Sequence, residues 1–263
     1  MCLILLAWRA HPEYPLIFAG NRDEAYERPS APADFWSDAP YVFGGRDLEK
    51  NGTWLGLARS GRIAAVTNYR ERPAIRNMPR SRGELTSSYL LGAQDPLSYL
   101  ESVSMAGGEY GPYSLIVGDG ERLYYQSNRG ACIHEISHGL HGLSNHLLDT
   151  PWPKITSGKA RLAKLLGAAV PDLTAGLFEI LLDRTPGPDA ELPDTGVGPQ
   201  RERELSPSFI AGDRYGTRAS TVLLIDRRNE VLFIERAFGP HGKEGRTVRR
   251  EFRLEAGARS KAG

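Results

Sequence analysis

Residues 1–24 read MCLILLAWRAHPEYPLIFAGNRDE. Two apolar runs, 3–9 and 15–20, are separated by a short polar segment that contains proline, and this pattern predicts two buried strands joined as a hairpin. The polar run 21–24 follows the second strand directly. In an antiparallel hairpin the start of one strand lies beside the end of its partner. The sequence therefore predicts that this polar run lies next to Cys2.

Further along the chain, strand-like and helix-like segments occur in blocks. Strands are predicted at 41–43, 53–58, 62–67, 113–118, 122–127, 131–136, 140–144, 220–226 and 231–235. Helices are predicted from the capping-box run 81–84, from Asp95-Pro96, and over 155–182 with a break near Pro171. Blocks of strands separated by paired helices favour an α+β fold of antiparallel sheets layered with helices over a parallel βαβ sheet.

Length and composition predict one globular domain over residues 1–263, with 40% hydrophobic and 25% charged residues. The segment 184–216 is rich in Pro, Gly and Asp and is expected to form a surface excursion.

A net charge of +1 without a basic cluster argues against nucleic acid as the main partner. Two cysteines without a CxxC pair predict neither a disulfide framework nor a metal site. No apolar run reaches the roughly 20 residues of a membrane span, so we expect a cytoplasmic protein.

Cys2 is the candidate nucleophile. We expect Met1 to be removed because cysteine is a small residue, which would place the Cys2 thiol beside its own α-amine. That amine has a reference pKa of about 7.7–8.0, and a terminal amine can activate a neighbouring thiol without histidine. The alternative is that Cys2 is a small residue packed at the start of a core strand, the usual role of a free cysteine.

Arg22 and Asp23 are the candidate partners of Cys2. A guanidinium lowers the pKa of a neighbouring thiol, and a carboxylate can orient an ammonium group. Adjacent strand residues point to opposite faces, so the sequence does not place both side chains beside Cys2. The alternative is an ordinary turn with a surface ion pair.

Three further residues sit where they could assist. Asn68 and Asn145 end predicted strands, where a side-chain amide can donate to an oxyanion, although asparagine also caps many turns. Arg218 follows a glycine-containing loop and could supply another positive charge, although a lone arginine is usually just solvated.

His134 and His141 would face each other if 137–138 formed a hairpin turn, which gives a weak hint of haem binding. Clustered histidines are more often surface polar residues.

Nine short motifs carry a resemblance to a known family. They are Cys2, Asn21-Arg22-Asp23-Glu24, Gly44-Gly45-Arg46-Asp47, Gly52-Thr53-Trp54-Leu55-Gly56, Thr67-Asn68-Tyr69-Arg70, Ser81-Arg82-Gly83-Glu84-Leu85, Gly142-Leu143-Ser144-Asn145, Trp152-Pro153-Lys154 and Tyr215-Gly216-Thr217-Arg218. In this order, over nearly the whole chain, they closely resemble the NRDE family, also called the transport and Golgi organisation protein 2 family. That family in turn resembles cysteine N-terminal-nucleophile hydrolases such as bile salt hydrolase and penicillin V acylase.

The resemblance implies a four-layer αββα sandwich of antiparallel sheets with Cys2 in the nucleophile position. It implies that Arg22 and Asp23 lie near the thiol and the amine, and that Arg218 corresponds to a late arginine of those hydrolases. Asn68 and Asn145 would fall where the hydrolases place oxyanion and amine-binding groups.

Two functions follow from the sequence. The first is hydrolysis of an acyl amide or thioester, which requires no cofactor. The second is a carrier that holds haem or acyl-CoA without chemistry, because the family is linked to intracellular haem movement and to acyl-CoA and lipid metabolism. A scaffold without a small ligand is a plainer alternative. The oligomeric state stays open.

Overall fold

The computed structural model describes residues 2–72 and 78–255. The strands are β1 Cys2–Trp8, β2 Leu16–Ala25, β3 Ser30–Phe35, β4 Val42–Asp47, β5 Leu55–Ala58, β6 Ile63–Asn68, β7 Tyr113–Gly118, β8 Leu123–Ser127, β9 His134–Glu135, β10 Gly139–Leu143, β11 Tyr215–Ile225, β12 Glu230–Phe238 and β13 Glu244–Arg253. The α-helices are α1 Arg82–Leu91, α2 Pro96–Met105, α3 Pro153–Leu165, α4 Val170–Leu181 and α5 Pro199–Glu204.

The strands form two antiparallel sheets. The first has the order β10-β1-β2-β11-β12-β13 and the second the order β3-β4-β5-β6-β7-β8-β9. Ile4 and Leu6 of the first sheet share a buried core with Phe43 and Leu57 of the second. The inner faces of the two sheets therefore pack against each other.

Helices cover both outer faces. Leu5 of β1 belongs to a core with Leu162 of α3 and Leu177 of α4, whereas Val66 of β6 belongs to a core with Leu100 of α2. The layers follow the order helices, sheet, sheet, helices, which confirms the four-layer αββα sandwich. Because both faces of β1 and β2 are buried, their sequences read as continuous apolar runs.

The helix starts agree with the sequence in one case and differ in another. The Asp95 side chain caps α2 by accepting from Leu97 N and Ser98 N, both at 3.1 Å. Ser81 precedes α1 but makes no side-chain cap. The predicted capping box at 81–84 is wrong because the carboxylate of Glu84 instead accepts from the Arg80 guanidinium at 2.6 Å.

The segment 184–216 is only partly a surface excursion. Residues 205–210 are buried, so the sequence expectation does not extend to them. Asn21 and Lys154 reach this stretch from the first sheet and from α3 and donate to its backbone carbonyls. These bonds hold it against the end of β2. None of the helices within residues 2–72 and 78–255 is long and apolar enough to cross a membrane.

Candidate active site around Cys2

Cys2 opens β1 and lies opposite Arg22 in the register of β1 with β2. The predicted hairpin is therefore confirmed. Cys2 is 7% exposed and lies on the wall of a cleft of about 910 Å³. The thiol consequently sits at the end of a core strand, where the apolar interior gives way to a polar cavity.

Alternation along the strands decides which side chains face the cleft. Ile4 and Phe18 point into the space between the sheets, so Cys2 and Arg22, which are an even number of positions away, point the same way. Asp23 points to the opposite face, towards the helices. Arg22 therefore shares the face of the thiol, and the Asp23 carboxyl approaches the strand end from behind.

The environment of the Cys2 thiol works against its ionisation. Burial raises the pKa of the thiol, and the negative charge of Asp23 raises it further. The backbone of Asp23 and the Arg22 guanidinium oppose that rise in pKa. Since the thiol pKa remains raised, formation of the thiolate needs a proton acceptor.

The Asp23 carboxyl is held in a buried network. Thr217 Oγ1 donates to Asp23 Oδ1 at 2.7 Å and accepts from Ile210 N at 2.9 Å. A β-bulge at Arg218 sets this contact, because Thr217 pairs with Asp23 whereas Ala219 pairs with the preceding residue of β2. Burial raises the pKa of Asp23, and the positive charge of a nearby lysine opposes this rise.

That lysine is Lys154 of α3, which is 6% exposed. Its Nζ donates to Leu205 O at 2.9 Å and to Pro207 O at 3.3 Å. Burial lowers the pKa of Lys154 to about 8, while the charges of Asp23 and Cys2 act to raise it. Lys154 therefore places a buried cation behind the strand end that carries the thiol.

Asn68 and Asn145 form a pair in which only Asn68 faces the cleft. Asn145 is fully buried, and its Nδ2 donates to Asn68 O at 3.0 Å and to Asn68 Oδ1 at 3.2 Å. Within the part of the chain that the structure describes, the Asn68 Nδ2 makes no hydrogen bond, and Asn68 lines the cleft. Asn68 can therefore donate to an oxyanion, and Asn145 orients it.

The residue before Asn145 ties Cys2 to the same pair. Ser144 Oγ donates to Cys2 O at 3.0 Å, and Thr67 Oγ1 donates to Ser144 O at 2.8 Å. The ends of β1, β6 and β10 are thus joined by side-chain bonds. This connection sets the distance between the thiol and Asn68 with rigid strand ends rather than loops.

Arg218 lies at the cleft, and its guanidinium binds backbone. Its Nη1 donates to the carbonyls of Ala25, Tyr26 and Arg28 at 2.9, 3.2 and 2.9 Å. Its Nη2 donates to Ser30 Oγ at 3.2 Å. Arg218 therefore shapes the turn between β2 and β3, which forms part of the cleft wall.

Glu235 of β12 is a buried carboxyl in the same wall. Its Oε1 accepts from Ala33 N at 2.8 Å, a bond that joins the first sheet to the edge strand of the second. Burial raises its pKa, and Arg22 opposes this rise.

Basic residues outnumber acidic residues among the described residues that line the cleft. The basic ones are Arg22, Arg28, Arg46, Lys50, Arg80, Arg82, Arg218 and Arg246, and the acidic ones are Asp23, Glu24, Asp47, Glu49 and Glu235. Arg46 and Arg80 are paired with Asp38 and Glu84, which are not among these residues. In the part of the chain that the structure describes, no carboxylate lies within ion-pair distance of Lys50, Arg82, Arg218 or Arg246, so these four carry the positive charge of the cleft. The cleft therefore favours ligands that carry negative charge.

The histidines do not form the predicted hairpin. His134 lies on β9 of the second sheet and His141 on β10 of the first. The two ring nitrogens of His141 bond to Asp149 Oδ2 at 2.7 Å and Ser137 O at 2.8 Å, and His134 is exposed. Neither lines the cleft. Within residues 2–72 and 78–255, no cluster of His, Cys, Asp and Glu could hold a metal ion.

Sequence reasoning missed several residues of the site. Lys154 and Thr217 belong to motifs that contributed to the family resemblance, so a signal for them was present. Arg82 also belongs to one of those motifs, but its only structural interpretation was as part of a helix start, whereas it lines the cleft. Glu235 had no signal for chemistry.

Comparison with known proteins places the chain in context. The family model for transport and Golgi organisation 2 matches residues 1–240. The chain is 36% identical over 281 residues to the Bos taurus transport and Golgi organization protein 2 homolog, covering 97% of this chain and 100% of the relative. The Homo sapiens homolog is 36% identical over 257 residues, covering 90% and 93%. Among solved structures, a mutant conjugated bile acid hydrolase from Clostridium perfringens aligns with a TM-score of 0.49 at 8% identity, over 97% of this chain and 92% of that one.

Proposed function

The chain belongs to the transport and Golgi organisation 2 family, and we propose that it hydrolyses acyl amide or thioester bonds with the Cys2 thiol as nucleophile. The observation that carries this proposal is the placement of Cys2 at the first position of β1, on the cleft wall and opposite Arg22. Removal of Met1 would convert the Cys2 nitrogen into a free amine at this strand end.

The first step is attack by the thiol. The Cys2 amine takes the thiol proton, which the raised thiol pKa makes necessary, and the sulfur forms a bond to the carbonyl carbon of the substrate. Asp23, held by Thr217, orients the resulting ammonium. Arg22 stabilises the thiolate from the cleft side.

Different groups then act on the oxyanion and on the leaving group. Asn68 Nδ2 donates to the oxyanion of the tetrahedral intermediate, with Asn145 keeping the Asn68 amide in place. The ammonium returns its proton to the leaving nitrogen or sulfur as the bond to carbon breaks, which leaves a thioester on Cys2. Water, deprotonated by the amine, attacks this thioester, and a carboxylic acid and the thiol are released.

Trapping the acyl intermediate tests the proposal. The purified protein is incubated with panels of acyl amides and acyl-CoA thioesters, and its peptides are examined by mass spectrometry. We expect an acyl group on Cys2 together with product release. Cys132 is free and exposed, so Cys132→Ser is the matched control and should retain the adduct, whereas Cys2→Ala should lose both the adduct and turnover.

Absence of adduct and of turnover across both substrate classes would reject the hydrolase. An adduct that appears on Cys132 and vanishes in Cys132→Ser would mean that only an exposed thiol reacts.

The same cleft supports an alternative, a carrier that holds haem or acyl-CoA without chemistry. Its surplus of arginines suits the carboxylates of haem and the phosphates of CoA. Titration with haem followed by absorbance, and with acyl-CoA followed by calorimetry, separates the two roles. Saturable binding by Cys2→Ala without turnover by the unmodified protein would favour the carrier. His134→Ala and His141→Ala should leave haem binding unchanged, because neither histidine lines the cleft.

We further propose a cytosolic location. Cys2 and Cys132 are both free thiols, as is usual in a reducing compartment. Cell fractionation would check this, and recovery with a sealed organelle would contradict it.

A further inference from the structure

A second cavity of about 300 Å³ adjoins the cleft. Three residues line both spaces: Asn68, Arg82 and Tyr215. The junction therefore lies at the proposed oxyanion donor. The Tyr215 hydroxyl donates to Asp23 O at 3.2 Å, which ties the junction to the end of β2. A space of this size far exceeds what one water molecule needs, so it can take a small organic group.

The walls of the smaller cavity carry unbalanced positive charge. Two of its arginines are neutralised locally, since Arg70 pairs with Glu202 at 3.2 Å and Arg201 pairs with Glu204 at 2.7 Å. Glu71, the one acidic residue among the described residues of the wall, does not balance the others.

Glu71 is bound instead by Arg129 at 2.7 Å, from outside the cavity wall. Among the described residues, no carboxylate lies within ion-pair distance of Arg72 or Arg82. These two guanidinium groups therefore provide the net charge of the cavity.

Arg82 is placed to act at the junction. It is the first residue of α1, it is half-buried, and its Nη1 donates to Pro112 O at 3.2 Å. Burial lowers its pKa, while the negative charges of Glu24 and of the Cys2 thiolate act to raise it, so the guanidinium lies within electrostatic range of the sulfur. A partly desolvated guanidinium binds carboxylates strongly and with defined geometry.

We propose that the smaller cavity is a substrate subsite for a carboxylate, bound by Arg82 at the junction with the cleft. Preferred substrates then carry an acidic group a few atoms from the carbonyl that Asn68 holds. The inference rests on the proposed function only in calling the ligand a substrate, since the binding itself needs no hydrolysis.

Affinity labelling tests the subsite without turnover. N-iodoacetyl-β-alanine and its primary amide alkylate thiols in the same way: the sulfur–carbon bond forms, iodide leaves, and the thiol proton passes to buffer. The ratio of their rates at Cys2, read from peptide masses, cancels the thiolate fraction and isolates recognition of the carboxylate. Exposed Cys132 in the same sample gives the unassisted ratio.

We expect the acid to label Cys2 at least about tenfold faster than the amide, a ratio that corresponds to about 1.4 kcal/mol and lies at the lower end of what a charge-assisted hydrogen bond contributes. Arg82→Gln should bring this ratio close to that at Cys132. Val197→Trp should do the same by filling the cavity while Arg82 stays in place. Arg249→Gln, which removes a guanidinium from the exposed face of β13, should retain the preference for the acid.

A wild-type ratio equal to that at Cys132, or a preference that survives in Val197→Trp, would overturn the subsite. Val197→Trp decides the question even if Arg82→Gln fails to fold. A carboxylate preference in a protein that turns over no acyl substrate would reject the hydrolase and leave the subsite standing.

Discussion

Replacement of Lys154 by methionine perturbs the site from behind. Burial lowers the pKa of this lysine from 10.5 to about 8, which at about 1.4 kcal/mol per unit corresponds to about 3 kcal/mol for holding the charged form inside the protein. Lys154→Met relieves that cost. It also leaves the carbonyls of Leu205 and Pro207 without their donor, at about 1–3 kcal/mol each, and removes a cation from the surroundings of Asp23. We expect a net loss of about 1–3 kcal/mol at pH 7.

The pH dependence identifies the origin of this loss. Between pH 8 and 10.5 the unfolded chain keeps the proton on Lys154 while the folded protein has released it, so the folded protein becomes more stable as pH rises through this window. Methionine does not titrate. The difference in unfolding free energy between wild type and Lys154→Met should therefore grow by up to about 3 kcal/mol from pH 7 to pH 10.

Urea unfolding at a series of pH values measures this difference directly. Lys164→Met removes a lysine from an exposed position of the same helix and serves as the control, with a difference from wild type that should stay small throughout. A gap for Lys154→Met that is the same at pH 7 and pH 10 would refute the placement of a buried, charged lysine behind the thiol.

Three further outcomes test other parts of the site. Asn68→Ala should lower kcat for acyl substrates by about 10²–10³-fold with little change in stability. Asn145→Ala should lower kcat as well, and should also lower the free energy of unfolding by about 1–3 kcal/mol. Equal losses of stability would contradict the assignment of Asn68 as oxyanion donor and Asn145 as the residue that orients it. Thr217→Val should cost about 1–3 kcal/mol in urea unfolding because two buried hydrogen bonds are lost, and a loss below about 0.5 kcal/mol would argue against that network. Arg22→Gln should move the pH midpoint of iodoacetamide labelling at Cys2 upwards, since the guanidinium lowers the thiol pKa, and an unchanged midpoint would show that the guanidinium does not act on the thiol.

The hairpin at the start of the chain was predictable from its two apolar runs and from the short polar segment that separates them. Two apolar runs joined by a short turn can pair in few ways, and antiparallel geometry then brings residues 21–24 to Cys2. Because side chains alternate along a strand, the sequence also predicted that Arg22 and Asp23 point to opposite faces. It could not show that the Asp23 side chain is held by Thr217, because these two residues lie far apart in the sequence.

Long-range contacts explain what sequence reasoning missed. Lys154 is buried and bonds to the carbonyls of residues that lie about 50 positions away, Leu205 and Pro207. A stretch rich in turn-forming residues gives no local sign that it returns to this lysine. The predicted pairing of His134 with His141 failed for a related reason, since consecutive short strands normally pair. Here the chain passes from one sheet to the other between them.

The mass of the N-terminal peptide of the natural protein decides whether the Cys2 thiol stands beside a free amine. We expect a peptide that begins at Cys2, with an unmodified α-amine and a thiol that iodoacetamide can label. A peptide that retains Met1, or whose amine is blocked, would contradict this expectation, because no free base would then stand beside the sulfur.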